Sequence, residues 1–403
     1  MNLRMKSIFY SFLFACFFGV KCVFAQQPSP MIGFDLSELT ETRDGIKKGE
    51  SSLIKSYNDL IKEADACLTL KPETVTDGML PPSGDKHDFY AIGKYAWPNP
   101  KSADGMPYIR KDCSINPEAN GPKFDLARYN NTVDRIKLLS LAWFYSQDER
   151  YAKKATQLLR VWFINEDTRM NPHFECASAL PGVYKGMAIG IIFGVTLVEM
   201  TDCVKLLSLS ESWTGKDDTA LKQWFSDYVQ WLRTSKFGIQ EKKAQNNHGT
   251  WYSAQIAAYS LYTGELEYVK EMVEFGKQQI REQIALNGSL PHEMKRDWAF
   301  SYSVYGLRAF TVLAECGERI GEDLWNYKTP DGYNLQSAYL FLAPYLSGQK
   351  EWEWGSVREN EQTERIALPM MKRAAKKYDS TILMQAVRHL QTLYGKSLKY
   401  DWI

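Results

Sequence analysis

The chain has 403 residues, and its 49 Lys and Arg nearly cancel its 48 Asp and Glu, leaving a formal charge of +1. With 44% apolar residues it is too hydrophobic for a disordered chain. It also lacks the basic excess with which nucleic-acid binders displace counterions, so no nucleic acid is expected as a partner.

Residues 1–25 read as a secretory signal. Arg4 and Lys6 form a short positive start, an uncharged apolar run follows from Ser7 to Val20, and Val23-Phe24-Ala25 puts small residues at a cleavage position. The run is too short to span a bilayer comfortably, and no later segment reads as a membrane helix. The expectation is an exported protein, periplasmic or secreted, with residues 26–403 as one mature domain. Leu13-Phe14-Ala15-Cys16 only loosely matches a lipoprotein box, because bulky Phe14 sits where a small residue is usual. Without residues 1–25 the chain keeps 46 bases and 48 acids, a net charge of −2. Five cysteines remain (Cys67, Cys113, Cys176, Cys203 and Cys316) with no CxxC pair, and nothing in their spacing assigns a bridge.

From about residue 50 the dominant pattern is helical. Leu138, Leu141, Ala142 and Tyr145 recur at i, i+3, i+4 and i+7, which predicts one buried stripe. Similar segments include Leu158 to Phe163, Trp224 to Leu232 and Ile256 to Leu261, with further candidates at 53–67, 184–209, 266–286, 299–319, 333–345, 358–376 and 379–394. This gives roughly eleven helices, separated at Gly182, Gly215, Gly238, Gly264, Gly288 and Gly348. No fixed repeat period is visible, which excludes a regular helical-repeat array. The predicted fold is all-α, a single α/α toroid of helical hairpins. Residues 81–122 stand apart as a long stretch rich in Pro, Gly, Asp and Tyr, of the kind that wraps over a site.

Four patches carry possible chemistry. In Tyr90 to Pro100, Lys94, Tyr95 and Trp97 sit in a proline-stiffened loop, suited to stacking on sugar rings and meeting a carboxylate, or simply to packing at the surface. Asn171-Pro172-His173 through Pro181-Gly182 reads as a connecting loop. In Gln245 to Tyr252, Asn246, Asn247 and His248 precede Trp251; a helix cap explains one Asn but not the whole cluster. In His292 to Asp297, Glu293, Lys295 and Arg296 precede Tyr302 and Tyr305, which would share a helix face. A solvated charge run before a core helix is the plain alternative. Without an HxxxH or HExxH pair, no metal site is expected.

Taken in order, six motifs resemble the alginate lyase superfamily of the α/α-toroid type, which includes polysaccharide lyase family 5. They are Tyr95-Ala96-Trp97-Pro98-Asn99-Pro100, Asp104 to Asp112, Asn116-Pro117-Glu118, Trp162-Phe163 with Thr168 to Pro172, Pro181-Gly182, and Asn246 to Tyr252. The resemblance spans roughly residues 60 to 320. It implies β-elimination on a uronic-acid polysaccharide, most readily alginate, with glucuronan or another uronate polymer as the alternative. It places the family's Asn-His pair on Asn247 and His248 and its Tyr on Tyr302. Family spacing from that Tyr lands on Lys295, and a shift of one lands on Arg296, preferred because a guanidinium fork suits a carboxylate. Where the family has Leu or Ile before the Glu, this chain has His292.

The residue types fit that reaction. Removing the C5 proton of a uronate builds charge on a group that is already anionic, so Asn247 and Arg296 would neutralise it. Tyr302 would serve as base and acid when proton and leaving group share a face, as in mannuronate. His248 would be the base and Tyr302 the acid when they do not, as in guluronate. For Tyr302 to act as base, Arg296 is expected to lower its pKa. No cofactor is implied. Lys94, Tyr95, Trp97, Asn246, Trp251, Lys295 and Tyr305 are the expected substrate contacts. Two other classes remain open from sequence alone: a glycoside hydrolase, for which Asp88, Asp104, Glu118, Asp125 and Glu293 are available carboxylates, and a non-catalytic glycan binder.

Overall fold

The computed structural model describes residues 31–355 and 360–395, with Leu398 and Trp402. The expected signal lies outside the described residues. Among these, fourteen α-helices run in chain order: α1 Leu36–Lys47, α2 Ser51–Leu68, α3 Leu126–Ser146, α4 Glu149–Leu159, α5 Thr196–Leu207, α6 Gly215–Thr234, α7 Lys236–Glu241, α8 Asn247–Thr263, α9 Leu266–Gln283, α10 Pro291–Met294, α11 Ala299–Glu318, α12 Leu335–Leu346, α13 Asn360–Tyr378 and α14 Thr381–Tyr394. No described helix is long and apolar enough to cross a membrane.

The helices form an α/α toroid, and their burial patterns explain its two layers. Outer helices are amphipathic: α2 buries Leu53, Leu60, Ala64 and Cys67, a single stripe, and α9 buries Val269, Met272, Val273, Gly276 and Ile280. Inner helices are buried on nearly every side. In α8 this holds from Gly249 to Tyr262, because α6, α9 and α11 all pack on it. A helix apolar all round cannot remain at a surface, so α8 becomes the central post. Helix α11 is similarly enclosed by α8, α9 and α13.

Both ends of the described chain dock on α5. The fully buried Asp202 carboxylate accepts the Ile32 N–H at 2.9 Å, the Gly33 N–H at 2.7 Å and the Trp402 indole N–H at 2.8 Å.

Several expectations need correction. Helix α1 carries only a weak apolar stripe, too faint for the helical period to reveal it. The 184–209 segment is not one helix: a 3-10 run, Ala188–Val195, precedes α5. Gly215 opens α6 and Gly238 lies inside α7, where its Cβ would sit 1.7 Å from the Leu232 carbonyl oxygen. The other four expected breakers do lie between elements, each with positive φ. All five cysteines are free.

The 81–122 stretch holds short strands: β1 Tyr90–Ile92, β2 Ala96–Trp97 and β3 Ile109–Arg110. β1 pairs in parallel with β4 Cys176–Ala179, and β2 pairs antiparallel with β3. Motifs far apart in sequence meet here. The buried Asn116 side chain donates to the Ala96 carbonyl at 2.7 Å and its N–H to the Lys94 carbonyl at 2.8 Å, fixing the 94–97 loop from below. The Tyr108 N–H reaches the Pro181 carbonyl at 2.9 Å, and a Cβ on Gly182 would collide with Pro107. Asn171 donates to Asp88 at 2.7 Å just before β1. The second sequence patch is therefore the brace of this loop layer.

Candidate active site

A cleft of about 640 Å³ opens between the loop layer, the start of α8 and the first turns of α11 and α13. Lys94, Tyr95, Asn247, His248, Arg296, Tyr302 and Tyr305 all line it. The motifs resolve into three supports. The 94–97 loop brings Lys94 and Tyr95. The first turn of α8 brings Asn247 and His248. The α10–α11 joint brings Arg296, with Tyr302 and Tyr305 one turn apart on α11.

His248 is held from behind. Its Nδ1 lies 2.5 Å from Oε1 of Glu241, a buried carboxylate on α7. A carboxylate there accepts a hydrogen bond from Nδ1–H, which leaves Nε2 as the ring nitrogen turned to the cleft. Asn247 is anchored in the same manner. Its N–H donates to Glu293 Oε1 at 2.6 Å, and its Nδ2 donates to both Glu293 oxygens at 2.9 Å.

Tyr302 sits between Tyr95 and Arg296. Its hydroxyl is 2.9 Å from that of Tyr95, and the Arg296 guanidinium lies 4.0 Å from its ring centroid. Arg296 also pairs with the loop carboxylate Asp112 at 3.2 Å. The expectation that Arg296 lowers the phenol's pKa is met only as one contribution. Burial raises it, the Tyr95 hydrogen bond and Arg296 pull it back, and the net position stays above that of a free tyrosine. Tyr95 is raised further, by burial first and then by its bond to Tyr302.

Four expected substrate contacts lie elsewhere. Trp251 is fully buried in the core behind the site, its ring 5.2 Å from that of Tyr305. Trp97 faces away, its indole N–H bonded to the Ser114 carbonyl at 2.8 Å and Lys111 lying 5.2 Å from its ring. Asn246 caps α8, accepting the His248 N–H at 3.2 Å. Lys295 is exposed and outside the cleft, half-buried His292 also lies outside it, and Arg296, one residue on from Lys295, turns in. The joint between α10 and α11 is not continuous helix, and of its two cations it is Arg296 that lines the cleft.

Sequence reasoning missed Glu241, because it lies seven residues before His248 across a helix break. It took Glu293 only as one acid among many. It also missed the apolar wall of Leu180, Met187, Ile189, Ile192 and Phe193, which faces the polar set. Among the described residues no Asp or Glu lines the cleft. A paired-carboxylate hydrolase site is therefore not built here.

A toroid whose cleft gathers Asn, His, Arg and Tyr around an acid-free centre defines the class of polysaccharide lyases, and comparison with known proteins agrees. The family model described as alginate lyase matches residues 75–352. An alginate lyase from Bacteroides ovatus, solved at 1.60 Å, is 30% identical with a TM-score of 0.85, covering 93% of this chain and 98% of that one. The fold also resembles alginate lyase A1-III from Sphingomonas species A1, at 14% identity and a TM-score of 0.57, covering 93% and 94% of the two chains. A variant of A1-III complexed with tetrasaccharide gives 13% identity and a TM-score of 0.58, covering 94% of each chain. No curated protein sequence matches. The chain belongs to the alginate lyase family, and the protein is a polysaccharide lyase.

Proposed function

We propose that this lyase cleaves a uronic-acid polysaccharide, alginate foremost, by β-elimination outside the cytoplasm. The observation that carries the reading is the convergence of Asn247, His248, Arg296 and Tyr302 on one cleft. Alginate lyase A1-III, which shares the fold, is complexed with tetrasaccharide, and this supports a saccharide as the ligand here.

The uronate carboxylate would sit against Arg296 and Asn247, taking over from Asp112. That pair is partly exposed, and such pairs are worth about 1 kcal/mol or less, so the exchange costs little. His248 Nε2 takes the C5 proton, the charge spreads into the carboxylate under Arg296, and the C4–O4 bond breaks. Tyr302, held as a phenol by its burial, gives its proton to O4. The product carries a C4–C5 double bond. In this arrangement Tyr302 starts as the phenol the departing oxygen needs and His248 is a separate base, which favours substrates whose C5 proton and O4 lie on opposite faces. When they share a face, Tyr302 must first become a phenolate.

The test is an ultraviolet assay for the unsaturated product on mannuronate blocks, guluronate blocks, glucuronan and hyaluronan side by side, with Tyr302→Phe as control. The expected result is absorbance from alginate blocks and a loss of roughly 10²–10⁴-fold in the variant. New reducing ends without absorbance, or a fully active Tyr302→Phe, would refute the reading.

A further inference from the structure

The Asn247–Glu293 pair poses a problem of hydrogen-bond inventory. Each side chain is 1% exposed. Glu293, on α10, receives every donor that Asn247 has, and the Asn247 Oδ1 has no partner among the described residues. An ionised carboxylate can only accept, so it must draw the Nδ2 end of the amide toward itself. The end left for a ligand is then an acceptor oxygen. A uronate carboxylate is also only an acceptor, and two acceptors repel. As long as Glu293 is charged, Asn247 faces its intended ligand with the wrong end.

One proton resolves this. Protonated Glu293 still accepts the Asn247 N–H through one oxygen and donates through the other to Oδ1. The amide then turns over, and Nδ2 is released toward the cleft. The proton comes from solvent when the carboxylate binds and returns there when product leaves. No bond other than O–H is made or broken.

We propose that Glu293 is the positioning residue that sets which end of the Asn247 amide faces the cleft, so that uronate binding takes up a proton at Glu293. This rests on the uronate reading above. The surroundings are consistent with it. Burial raises the Glu293 pKa against the opposing pull of Asn247, Arg296 and His248, leaving it above the ordinary carboxylate value. The groups facing it are Arg296 from the joint beyond α10, His248 from α8 with Glu241 behind it, and the Tyr305 phenol from α11. His292 and Lys295 flank it in sequence. An incoming carboxylate adds negative charge beside it and favours the protonated form further.

The test uses the processed protein and the variants Glu293→Gln and Glu293→Ala, with kcat and KM on guluronate blocks, which need no phenolate, followed from about pH 5 to 9. The amide introduced by Glu293→Gln can accept the Asn247 N–H and donate to Oδ1, so it fixes the released Asn247 amide at every pH. In the wild type, KM should rise as Glu293 ionises, toward about tenfold per pH unit, with kcat changing less. In Glu293→Gln that rise should vanish, with much of the activity lost in Glu293→Ala recovered. Calorimetry of an unsaturated alginate oligosaccharide in buffers of different ionisation enthalpy should show proton uptake by the wild type and none by Glu293→Gln. The same KM slope or proton uptake in Glu293→Gln as in the wild type would overturn the proposal, as would a folded, inactive Glu293→Gln. Absence of unsaturated product from the wild type on every uronate polymer would instead overturn the uronate reading, and this inference with it.

Discussion

In the proposed reaction Tyr302 and His248 divide the chemistry by what surrounds them. Burial keeps the Tyr302 phenol protonated, and Glu241 leaves the His248 Nε2 free to accept. His248→Ala should therefore reduce cleavage of guluronate blocks much more than that of mannuronate blocks, where Tyr302 can still act on one face. Initial rates on the two block types measure this, and equal losses would remove the two-base scheme. Mannuronate cleavage should also climb with pH as the phenolate fraction grows, because a raised pKa places that gain on the alkaline side. The same residues show where a sequence is readable. Asn247, His248, Arg296 and Tyr302 carry their chemistry in their identity and order. Glu241 does not, since a buried carboxylate bonded to histidine is a fact of tertiary packing with no local signature.

At the scale of elements, α8 decides which aromatic residues serve the site and which serve the core. Its start faces the cleft, and everything from Gly249 onward is enclosed by α6, α9 and α11. Trp251 falls on the enclosed side, although it is only three residues from His248. Trp251→Ala should cost about 3–5 kcal/mol as a core truncation and lower Tm by several degrees, which thermal unfolding would register. A pure binding role would raise KM and leave Tm in place. The helical period is legible for nearly all long helices, because each outer helix shows one stripe and the inner helices α8 and α11 are buried along most of their length. What period cannot show is the side on which a wholly buried helix ends, or how the 81–122 layer folds. That layer is held by side chain to backbone bonds, such as Asn116 to Ala96, made between residues that share no pattern.

The whole molecule carries almost no net charge, yet Lys94, Arg110, Arg296 and His248 line a cleft without a single acid among its described lining residues. Local field rather than overall charge must then guide a polyanion. With a Debye length of about 10 Å at 0.1 M salt, that guidance fades quickly as salt rises. Raising ionic strength should lower kcat/KM on long alginate chains while leaving kcat near its low-salt value. A loss confined to kcat would contradict this.

The clamp at Asp202 has a consequence for connectivity. Ile32, Gly33 and Trp402 meet on one carboxylate, so the two ends of the described chain are neighbours in space. The order of helices around the ring is thus separable from their order along the chain. A circular permutant with these ends joined by a short linker and reopened at the exposed Gly321 turn keeps α8 to α11 on one segment. It should rebuild the same cleft and retain lyase activity, with the molecule behaving as a loop that can be cut in more than one place.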